Sequence, residues 1–437
     1  MKKIAIIGTG YVGLVSGAGL SDFGHQVVCS DIDKNKISML ESGEIPIYEP
    51  GLESLVRSNV KEGRLRFSVD PASAIRSSDI IFIAVGTPQG ENRKADLSAI
   101  KAVAGTIAEN LNGYKIVCTK STVPVGTGKR IQSIIYSKKQ QVEFDYVSNP
   151  EFLREGASIN DFMHPDRIII GTHNEKVQKI MKDVYRPLYI NETPILFTSV
   201  ETAEMIKYAS NAFLALKISY INEIANLCEA VEADVHEVAR AMGQDGRISP
   251  KFLHPGPGFG GSCFPKDIQA LAAMGREQNS PLLTIESAIE ANKKQNIRMI
   301  DKLKTLVGRE LKGLTIAVLG LSFKPETDDV RGAASRLIVP KLLSAGAKVN
   351  AYDPIASENF KLHYPEINYF YSWQNAVNES DACMILTEWN EFRCMDLSEL
   401  KGLMKYPIVL DTKNILSMLN LEKLDFKFDN VGRKPST

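Results

Sequence analysis

Short apolar runs alternate with stretches of helical periodicity along the first part of the chain. The apolar runs have the length of buried strands. They lie at residues 3–7, 26–30, 80–85, 116–119 and 146–148. Strands that alternate with helices are typical of βαβ units and a doubly wound parallel sheet. We therefore predict an α/β domain of this kind over residues 1–198.

Residues 201–231 form one long helical pattern that is apolar on several faces. About 30 residues at 1.5 Å each span roughly 45 Å, which is more than a small domain needs. A helix that is apolar nearly all round must be buried in a core or a subunit interface. We predict that it dominates a central helical domain over residues 199–305, connects two domains and forms the interface of a homodimer or higher homo-oligomer.

A second α/β pattern follows the helical region. Its strand-like runs lie at 314–320, 349–353, 382–386 and 408–411. We predict a second doubly wound domain over residues 306–437, which ends in a polar tail at 429–437. The expected fold is thus α/β, with two Rossmann-like parallel-sheet domains joined by a helical domain with a long central helix.

Composition and charge exclude several classes of protein. The 437 residues carry 52 basic and 52 acidic side chains, whereas a nucleic-acid-binding protein usually has a basic excess. No uncharged apolar stretch is long enough to cross a membrane. The six cysteines are scattered, which favours neither disulfides nor a zinc site and is typical of a cytoplasmic protein. We predict a small-molecule ligand and no metal.

Gly8, Gly10 and Gly13 form a Gly-x-Gly-x-x-Gly motif between the first strand and the next helix. Such glycines allow the backbone to approach a pyrophosphate, and the helix N-terminus favours its negative charge. Asp31 follows 18 residues after Gly13, at the end of the second strand. Its carboxylate can accept from ribose hydroxyls and would repel a 2′-phosphate. The motif predicts NAD rather than NADP; the alternative is a glycine turn without a ligand.

Cys263 lies near the end of a loop at 249–266 that is rich in glycine and proline and predicts no regular element. We expect the next helix to begin at Asp267 as its N-cap. The helix N-terminus and Lys266 should both favour the thiolate. A reactive thiolate beside NAD suggests covalent capture of a carbonyl. The alternative is a small buried cysteine.

Six segments occur together in a fixed order. They are 8–13, 120–126, 149–156, 207–211, 258–267 and 322–331. The combination resembles the UDP-glucose/GDP-mannose dehydrogenase family, and within it the branch of the UDP-glucose 6-dehydrogenases. The resemblance runs from the first strand to about Asn414. It implies two successive NAD-dependent oxidations of UDP-glucose to UDP-glucuronate, a precursor of surface polysaccharides.

The resemblance also implies catalytic roles. Cys263 would hold the aldehyde as a thiohemiacetal and then carry the acid as a thioester, which water hydrolyses. Asp267 would act as a general base through water, and Lys207 would stabilise the developing oxyanion. Thr122 and Glu151 would serve thioester hydrolysis. Asn211, one helical turn from Lys207, would be a hydrogen-bonding partner.

Further positions match contacts to ligands in the family. The NAD-contacting positions are Gly8, Gly10, Tyr11, Val12, Gly13, Asp31, Lys36, Thr87, Thr122, Glu155, Lys266 and Arg331. The substrate-contacting positions are Glu151, Phe152, Leu153, Lys207, Asn211, Phe252, Gly260, Phe323, Lys324 and Lys413. Arg247 resembles an arginine that reaches the substrate of a neighbouring subunit.

One position departs from the family pattern. Lys413 stands where an arginine is usual, and a lysine cannot make the two-pronged contact of a guanidinium. Three alternatives to UDP-glucose oxidation remain: the same chemistry on a UDP-N-acetylhexosamine or GDP-mannose, a single oxidation by a β-hydroxyacid dehydrogenase, and a nucleotide-binding regulator without catalysis.

Overall fold

The structure, a computed structural model, describes residues 1–90, 93–139, 141 and 143–434. The chain divides into two compact units, Met1–Ser210 and Asn211–Thr437. The boundary between them lies inside one long helix, α9 (Val200–Val231). This helix confirms the prediction of a long helix over 201–231. The finer division at residues 198 and 305 stays a prediction.

The first unit contains a doubly wound sheet. Its strands are β1 (Lys3–Ile7), β2 (Gln26–Ser30), β3 (Leu65–Ser68), β4 (Ile80–Ile83), β5 (Lys115–Thr119), β6 (Phe144–Ser148), β7 (Ile168–Gly171) and β8 (Ile195–Thr198). Its helices before α9 are α1 (Tyr11–Asp22), α2 (Lys34–Glu41), α3 (Leu52–Lys61), α4 (Pro71–Arg76), α5 (Ser98–Asn110), α6 (Thr127–Lys138), α7 (Ser158–Met163) and α8 (Glu175–Val184), with a 3₁₀ helix at Arg186–Asn191.

The order of the strands explains where a ligand can bind in this unit. Within the described residues the sheet runs β3-β2-β1-β4-β5-β6-β7-β8, and every pair is parallel except β6 and β7. From β1 the chain first adds β2 and β3 on one side, and it then crosses to the other side of β1 to add β4 and the following strands. Ligands of open α/β sheets bind at such a switch point, outside the carboxyl ends of the strands. The turn that contains Gly8 lies at this place.

The second unit contains a smaller sheet and the helices that follow α9. The strands are β9 (Thr315–Leu319), β10 (Lys348–Tyr352), β11 (Asn368–Tyr369), β12 (Ala382–Ile385), β13 (Ile408–Asp411) and β14 (Lys427–Asn430). The helices after α9 are α10 (Val235–Gln244), α11 (Phe264–Glu277), α12 (Leu283–Val307), α13 (Ala334–Ser344), α14 (Ser357–Lys361), α15 (Trp373–Val377), α16 (Asn390–Arg393), α17 (Leu397–Leu403) and α18 (Met418–Lys423).

The second sheet has the order β11-β10-β9-β12-β13-β14 in the described part of the chain, and all its pairs are parallel. Strands such as β12 are buried at every position, as expected where helices cover both faces of a sheet. The prediction of two Rossmann-like sheets with a helical region and a long helix is therefore confirmed.

Two local predictions are wrong. Helix α11 begins at Phe264, so the loop ends earlier than residue 266, and Cys263 rather than Asp267 is the N-cap. The reason is Pro265, since proline fits the first turn of a helix, where no N–H partner is needed. The prediction of a polar tail from residue 429 is also wrong for its first residues. Strand β14 continues to Asn430 and pairs with β13, and Val431 is fully buried. Residues 435–437 of that tail lie outside the described residues.

Asp353, at the end of β10, ties the first two strands of the second sheet together. Its Oδ2 accepts from the backbone N–H groups of Leu321 (2.7 Å) and Ser322 (3.0 Å), and its Oδ1 accepts from those of Ile355 (3.0 Å) and Ala356 (2.8 Å). A buried carboxylate with four backbone donors holds the ends of β9 and β10 in register.

Asp353→Asn should destabilise the second unit. The substitution turns one acceptor oxygen into an NH₂ donor that faces N–H groups, so buried donors lose their partners. We expect a loss of about 2–3 kcal/mol in the free energy of unfolding, measured with urea.

Asp396→Asn is the matched control for this experiment. Asp396 caps α17 by accepting from the N–H groups of Ser398 and Glu399, and asparagine caps a helix equally well. Its free energy of unfolding should change little. Equal losses in the two variants would contradict the role given to Asp353.

Candidate active site

The glycine turn of the first unit packs tightly on one side and is open on the other. A Cβ added at Gly8 (φ +107°) would lie 2.7 Å from the carbonyl oxygen of Ala84, and one added at Gly13 would lie 1.9 Å from that of Gly8. A Cβ at Gly10 would meet no atom within 4 Å. Gly10 is the N-cap of α1 and provides no side-chain cap. Open space above uncapped N–H groups fits a pyrophosphate.

Asp31 is held in the orientation that a ribose contact requires. Its Oδ2 accepts from the N–H (2.8 Å) and hydroxyl (2.9 Å) of Thr9, and its Oδ1 accepts from the N–H of Asp33 (3.1 Å). Burial raises the pKa of Asp31, but these hydrogen bonds and the charge of Lys36 outweigh it and lower the pKa overall. The side chain is thus a carboxylate, and its Oδ1 can accept a further hydrogen bond.

Other predicted NAD positions of the first unit lie around the same strand ends. The Thr87 hydroxyl donates to the carbonyl oxygen of Thr122 (2.8 Å), which joins the loops after β4 and β5. Tyr11 donates its hydroxyl to the carbonyl oxygen of Tyr48. Val12 packs against the core below α1. The residues present therefore fit a dinucleotide.

Glu151 and Lys207 form a buried ion pair. Lys207 Nζ lies 3.0 Å from Glu151 Oε1, and the two side chains are only 4% and 6% exposed. Glu151 Oε2 also accepts from the N–H of Leu153 (2.5 Å), and Lys207 Nζ lies 5.1 Å from the centroid of the Phe152 ring. The structure thus brings these four predicted residues together. A buried ammonium can stabilise a developing negative charge more strongly than it could in water.

A carboxylate that the sequence analysis missed holds the loop after β6. Glu49 is buried and accepts from the N–H groups of Gly156 (2.7 Å) and Ser158 (2.8 Å). Glu155, a predicted NAD contact, lies in the same turn and is half-buried. The loop with Glu151 at its beginning is therefore fixed at its end as well.

Lys120 is a second buried group that the sequence analysis gave no role. Its Nζ donates to Asn149 Oδ1 (3.2 Å) and Tyr185 Oη (3.2 Å), and Tyr185 also donates to Asn149 Oδ1 (2.5 Å). Burial lowers the pKa of Lys120 to about 8. Because Asn149 precedes Glu151 by two residues, this network also supports the ion pair.

In the second unit Cys263 caps a helix, and Asp267 lies in the first turn of that helix. The Asp267 N–H donates to the carbonyl oxygen of Cys263 (3.0 Å), and the Ser262 hydroxyl lies 3.6 Å from Cys263 Sγ. Asp267 is fully buried and accepts from Asn211 Nδ2 (2.7 Å) and Lys266 Nζ (2.5 Å). The structure thus groups the predicted nucleophile, general base and hydrogen-bonding partner.

The cysteine loop packs closely on the segment after β9. A Cβ at Gly260 would lie 2.2 Å from the carbonyl oxygen of Gly332, and one at Gly261 would lie 2.7 Å from the Phe323 ring. Lys324 Nζ lies 5.3 Å from the centroid of the same ring. The predicted substrate positions Gly260, Phe323 and Lys324 are therefore neighbours, and the glycines are required by the close approach.

Three amide side chains, which the sequence analysis missed, hold the middle of the cysteine loop. Asn222 Oδ1 accepts from the N–H of Gly256 (2.8 Å), and Gln295 Nε2 donates to its carbonyl oxygen (2.8 Å). Asn292 bonds both the N–H (2.7 Å) and the carbonyl oxygen (3.0 Å) of Phe259. An irregular segment that cannot use a helix or sheet ladder is thus given side-chain partners.

The remaining predicted residues have different surroundings. Phe252 packs on Phe264, with ring centroids 6.0 Å apart. Lys413, in place of the usual arginine, pairs with Glu388 (2.8 Å).

Two predicted arginines pair with neighbouring carboxylates. Arg331 pairs with Asp329 (2.7 Å). Arg247 pairs with Asp245 (2.6 Å), and its side chain is 89% exposed, so within its own unit it points towards solvent.

Comparisons with known proteins agree with this geometry. Three sequence models of one family match the chain: the NAD binding domain at residues 2–189, the central domain at 201–294 and the UDP binding domain at 317–418. The chain belongs to the UDP-glucose/GDP-mannose dehydrogenase family. The predictions of a dehydrogenase and of NAD as its cofactor are confirmed at this level, as is a domain for a UDP-linked ligand.

Individual relatives cover nearly the whole chain. It is 51% identical over 435 residues to the UDP-glucose 6-dehydrogenase TuaD of Bacillus subtilis (strain 168), covering 99% of this chain and 94% of that protein. A UDP-glucose dehydrogenase structure from Pyrobaculum islandicum has a TM-score of 0.90 at 34% identity, with 95% of each chain covered. A UDP-D-ManNAc dehydrogenase structure from Pyrococcus horikoshii has a TM-score of 0.87 at 26% identity, covering 99% of this chain and 100% of that one.

A helix that crosses a membrane must be long and apolar. Within the described residues no helix is both long enough and apolar enough to do so.

The buried Lys120 gives a testable dependence of stability on pH. Between about pH 8 and its ordinary pKa of 10.5, this lysine is neutral in the folded protein and charged in the unfolded chain. Unfolding then takes up a proton, so stability rises with pH in this window. The free energy of unfolding of the wild type should therefore rise relative to Lys120→Met, by up to about 1.4 kcal/mol per pH unit.

Urea unfolding at a series of pH values measures this difference. Below about pH 8 the difference between the wild type and Lys120→Met should not depend on pH. Lys101→Met, which removes an exposed lysine of α5, is the control, and its curve should run parallel to that of the wild type. Parallel curves for Lys120→Met as well would show that Lys120 does not titrate in this window.

Proposed function

We propose that this chain oxidises UDP-glucose to UDP-glucuronate in two NAD-dependent steps, with Cys263 as a covalent nucleophile. The observation that carries the proposal is the cluster at the start of α11. Cys263 is the N-cap, and the fully buried Asp267 lies one turn further on, bonded to Asn211 and Lys266. A thiol beside a buried carboxylate suits capture of a carbonyl.

NAD would bind at the glycine turn of the first unit. The uncapped N–H groups at Gly10 would bind the pyrophosphate, and Asp31 Oδ1 would accept from a ribose hydroxyl. When bound, NAD supplies the hydride acceptor for each of the two oxidations. Lys36, Thr87 and Thr122 surround the same strand ends. Further proposed contacts are Tyr11, Val12, Glu155, Lys266 and Arg331.

Cys263 makes a second oxidation possible because it keeps the aldehyde bound. In the first oxidation the C6 alcohol loses a proton and a hydride. The thiol then adds to the aldehyde carbon, and the aldehyde oxygen takes up a proton to give a thiohemiacetal. Loss of a second hydride and proton leaves a thioester at the oxidation level of an acid. Asp267 would accept these protons through water.

Hydrolysis returns the enzyme to its starting state. Water attacks the thioester carbon and the carbon–sulfur bond breaks. One proton of the water goes to the Cys263 sulfur and the other to solvent, so the carboxylate and the thiol are released. Lys207 would stabilise the oxyanion formed in this step, and Glu151 holds its ammonium in place (3.0 Å). Thr122 is the proposed partner of the attacking water.

The relatives favour UDP-glucose over an N-acetylated sugar. Identity is 51% to a UDP-glucose 6-dehydrogenase, 34% to a UDP-glucose dehydrogenase and 26% to a UDP-D-ManNAc dehydrogenase. The segment 322–331 and the cysteine loop would contact the nucleotide and sugar through Phe252, Gly260, Phe323 and Lys324. Lys413 would contribute less than an arginine, because its ammonium already pairs with Glu388.

The experiment is a panel of nucleotide sugars in which NADH is counted per molecule of substrate. We expect two NADH per UDP-glucose and little turnover of UDP-N-acetylhexosamines or GDP-mannose. Turnover confined to another sugar would refute the choice of substrate. One NADH per substrate would indicate a single oxidation, and none with any sugar would favour a regulator without catalysis.

Cys263→Ser separates the covalent step from cofactor binding. The hydroxyl is a much weaker nucleophile, so complete turnover should be lost while NAD binding, followed by fluorescence titration, stays unchanged. Cys394→Ser, at an exposed cysteine of the same unit, is the matched control and should retain full activity. An unchanged rate in Cys263→Ser would refute the thioester.

We also propose that the chain forms a homodimer through α9 and acts in the cytoplasm. Phe213, Tyr220 and Leu227 recur every seven residues on α9 and are 60%, 46% and 58% exposed. A stripe of this kind suits a helix of a second copy. The exposed Arg247 could then serve the substrate of the partner.

No disulfide joins any of the six cysteines, all of which lie in the described residues, and this suits a reducing compartment.

The double substitution Phe213→Lys with Leu227→Lys should dissociate the dimer. Two ammonium groups would have to be buried without partners in the interface. Size-exclusion chromatography with light scattering should show a monomer, with UDP-glucose turnover reduced and NAD binding retained. Leu362→Lys changes an equally apolar residue that is 80% exposed elsewhere in the same unit, and it should remain dimeric. A dimeric double variant would exclude this stripe as the interface.

A further inference from the structure

A second buried carboxylate on α9 lies one turn before Lys207. Glu204 is 2% exposed and accepts two backbone hydrogen bonds, from Gly126 N (2.7 Å, to Oε2) and from Gly128 N (2.8 Å, to Oε1). Each carboxylate oxygen therefore takes one N–H group. These donors are 76 and 78 residues away in the sequence, so the contact closes a long loop of the fold.

The two N–H groups belong to the N-terminus of α6, which has no cap of its own. Gly126 is the N-cap residue and makes no side-chain capping bond, and Thr127 donates its hydroxyl back to Pro124 O (2.6 Å). Glu204 thus caps α6 from another helix. Burial raises the pKa of Glu204 to about 7, while the two N–H groups and the helix dipole favour its charged form.

The fit between the two helices leaves little freedom. A Cβ added at Gly128 would lie 2.6 Å from both the Tyr146 ring and Val200 Cγ1. The start of α6 therefore packs directly against the start of α9 and against β6. The close packing at Gly128 and the hydrogen bonds to Glu204 act on the same turn of α6. Together they hold the loop before α6 in one position relative to α9.

That loop carries Thr122, whose carbonyl oxygen is held from the other side by the Thr87 hydroxyl (2.8 Å). Three residues beyond Glu204, and hence on the adjoining turn of α9, Lys207 holds Glu151 (3.0 Å). One helix therefore fixes two loops: Glu204 fixes the one with Thr122, and Lys207 fixes the one with Glu151.

We infer that Glu204 is a positioning residue for thioester hydrolysis, because it holds Thr122 at a set distance from the pair of Lys207 and Glu151. The inference rests on the proposed function, in which these three groups serve the attack of water. Glu204 itself is bonded to backbone N–H groups and acts through the loop. Its loss should therefore slow hydrolysis more than the oxidations that precede it.

The test uses Glu204→Gln in the full-length enzyme. The amide keeps the size of the side chain but presents an NH₂ group to one of the two N–H donors. We expect kcat to fall by about 10²-fold, the usual cost of a misplacement of about 1 Å, and KM for UDP-glucose to fall with it, so that kcat/KM stays within about twofold. Rapid mixing should show a burst approaching two NADH per active site, and intact-protein mass spectrometry should show the acyl adduct on Cys263.

Two further variants make the result decisive. Glu204→Asp keeps the charge but is too short to reach both N–H groups, so it should show a smaller fall in kcat and the same adduct, even if the glutamine variant folds poorly. Glu201→Gln changes a glutamate of α9 that forms a solvent-exposed ion pair with Lys129 of α6, and this variant should behave like the wild type.

Three results would separate the possible failures. A kcat of Glu204→Gln within a few fold of the wild type would overturn the inference. So would a fall in kcat without a burst or adduct, because that would mean a general loss of structure. If the wild type itself gave no NADH from UDP-glucose, the proposed function would fail before the positioning role could be measured.

Discussion

The buried charges in the first turns of α9 are the constraint on which the first unit depends. Glu204 and Lys207 are 2% and 3% exposed, and a buried charge without a partner costs several kcal/mol. Their partners are two backbone N–H groups at the start of α6 and the carboxylate of Glu151. The loops after β5 and β6 must therefore lie where α9 requires them, and these loops carry Thr122 and Glu151, which we propose for thioester hydrolysis.

The same helix continues the pattern into the second unit. Asn211 follows Lys207 by one turn and donates to the fully buried Asp267 (2.7 Å), which also accepts from Lys266 (2.5 Å). These two donors satisfy both oxygens of a carboxylate that is buried away from water. Polar residues on one helix thus determine the surroundings of an ammonium in one unit and of a carboxylate in the other.

Features that depend on near neighbours could be predicted from the sequence, and features that depend on distant partners could not. The glycine turn with Asp31 and the long helix follow from local spacing. The roles of Glu49 and Glu204 do not, because their donors lie more than 70 residues away and nothing nearby distinguishes a buried carboxylate from an exposed one. The start of α11 differs from the prediction because glycine and proline are typical of loops, whereas Pro265 lies in the first turn of the helix, where proline is well tolerated.

The two sheets show how one architecture can be used for different purposes. Asp31 and Asp353 both follow the second strand of their sheets. Asp353 accepts from six donors: the N–H groups of Leu321, Ser322, Ile355 and Ala356, the Ser322 hydroxyl and the Trp389 indole. Two carboxylate oxygens offer about four lone pairs, so no capacity is left for a ribose. Asp31 has three donors and is only half-buried, so it can still accept a ligand hydroxyl. The carboxylate that can accept a ligand hydroxyl in the first sheet is thus a structural clamp in the second, and any nucleotide bound to the second sheet must be recognised by other groups.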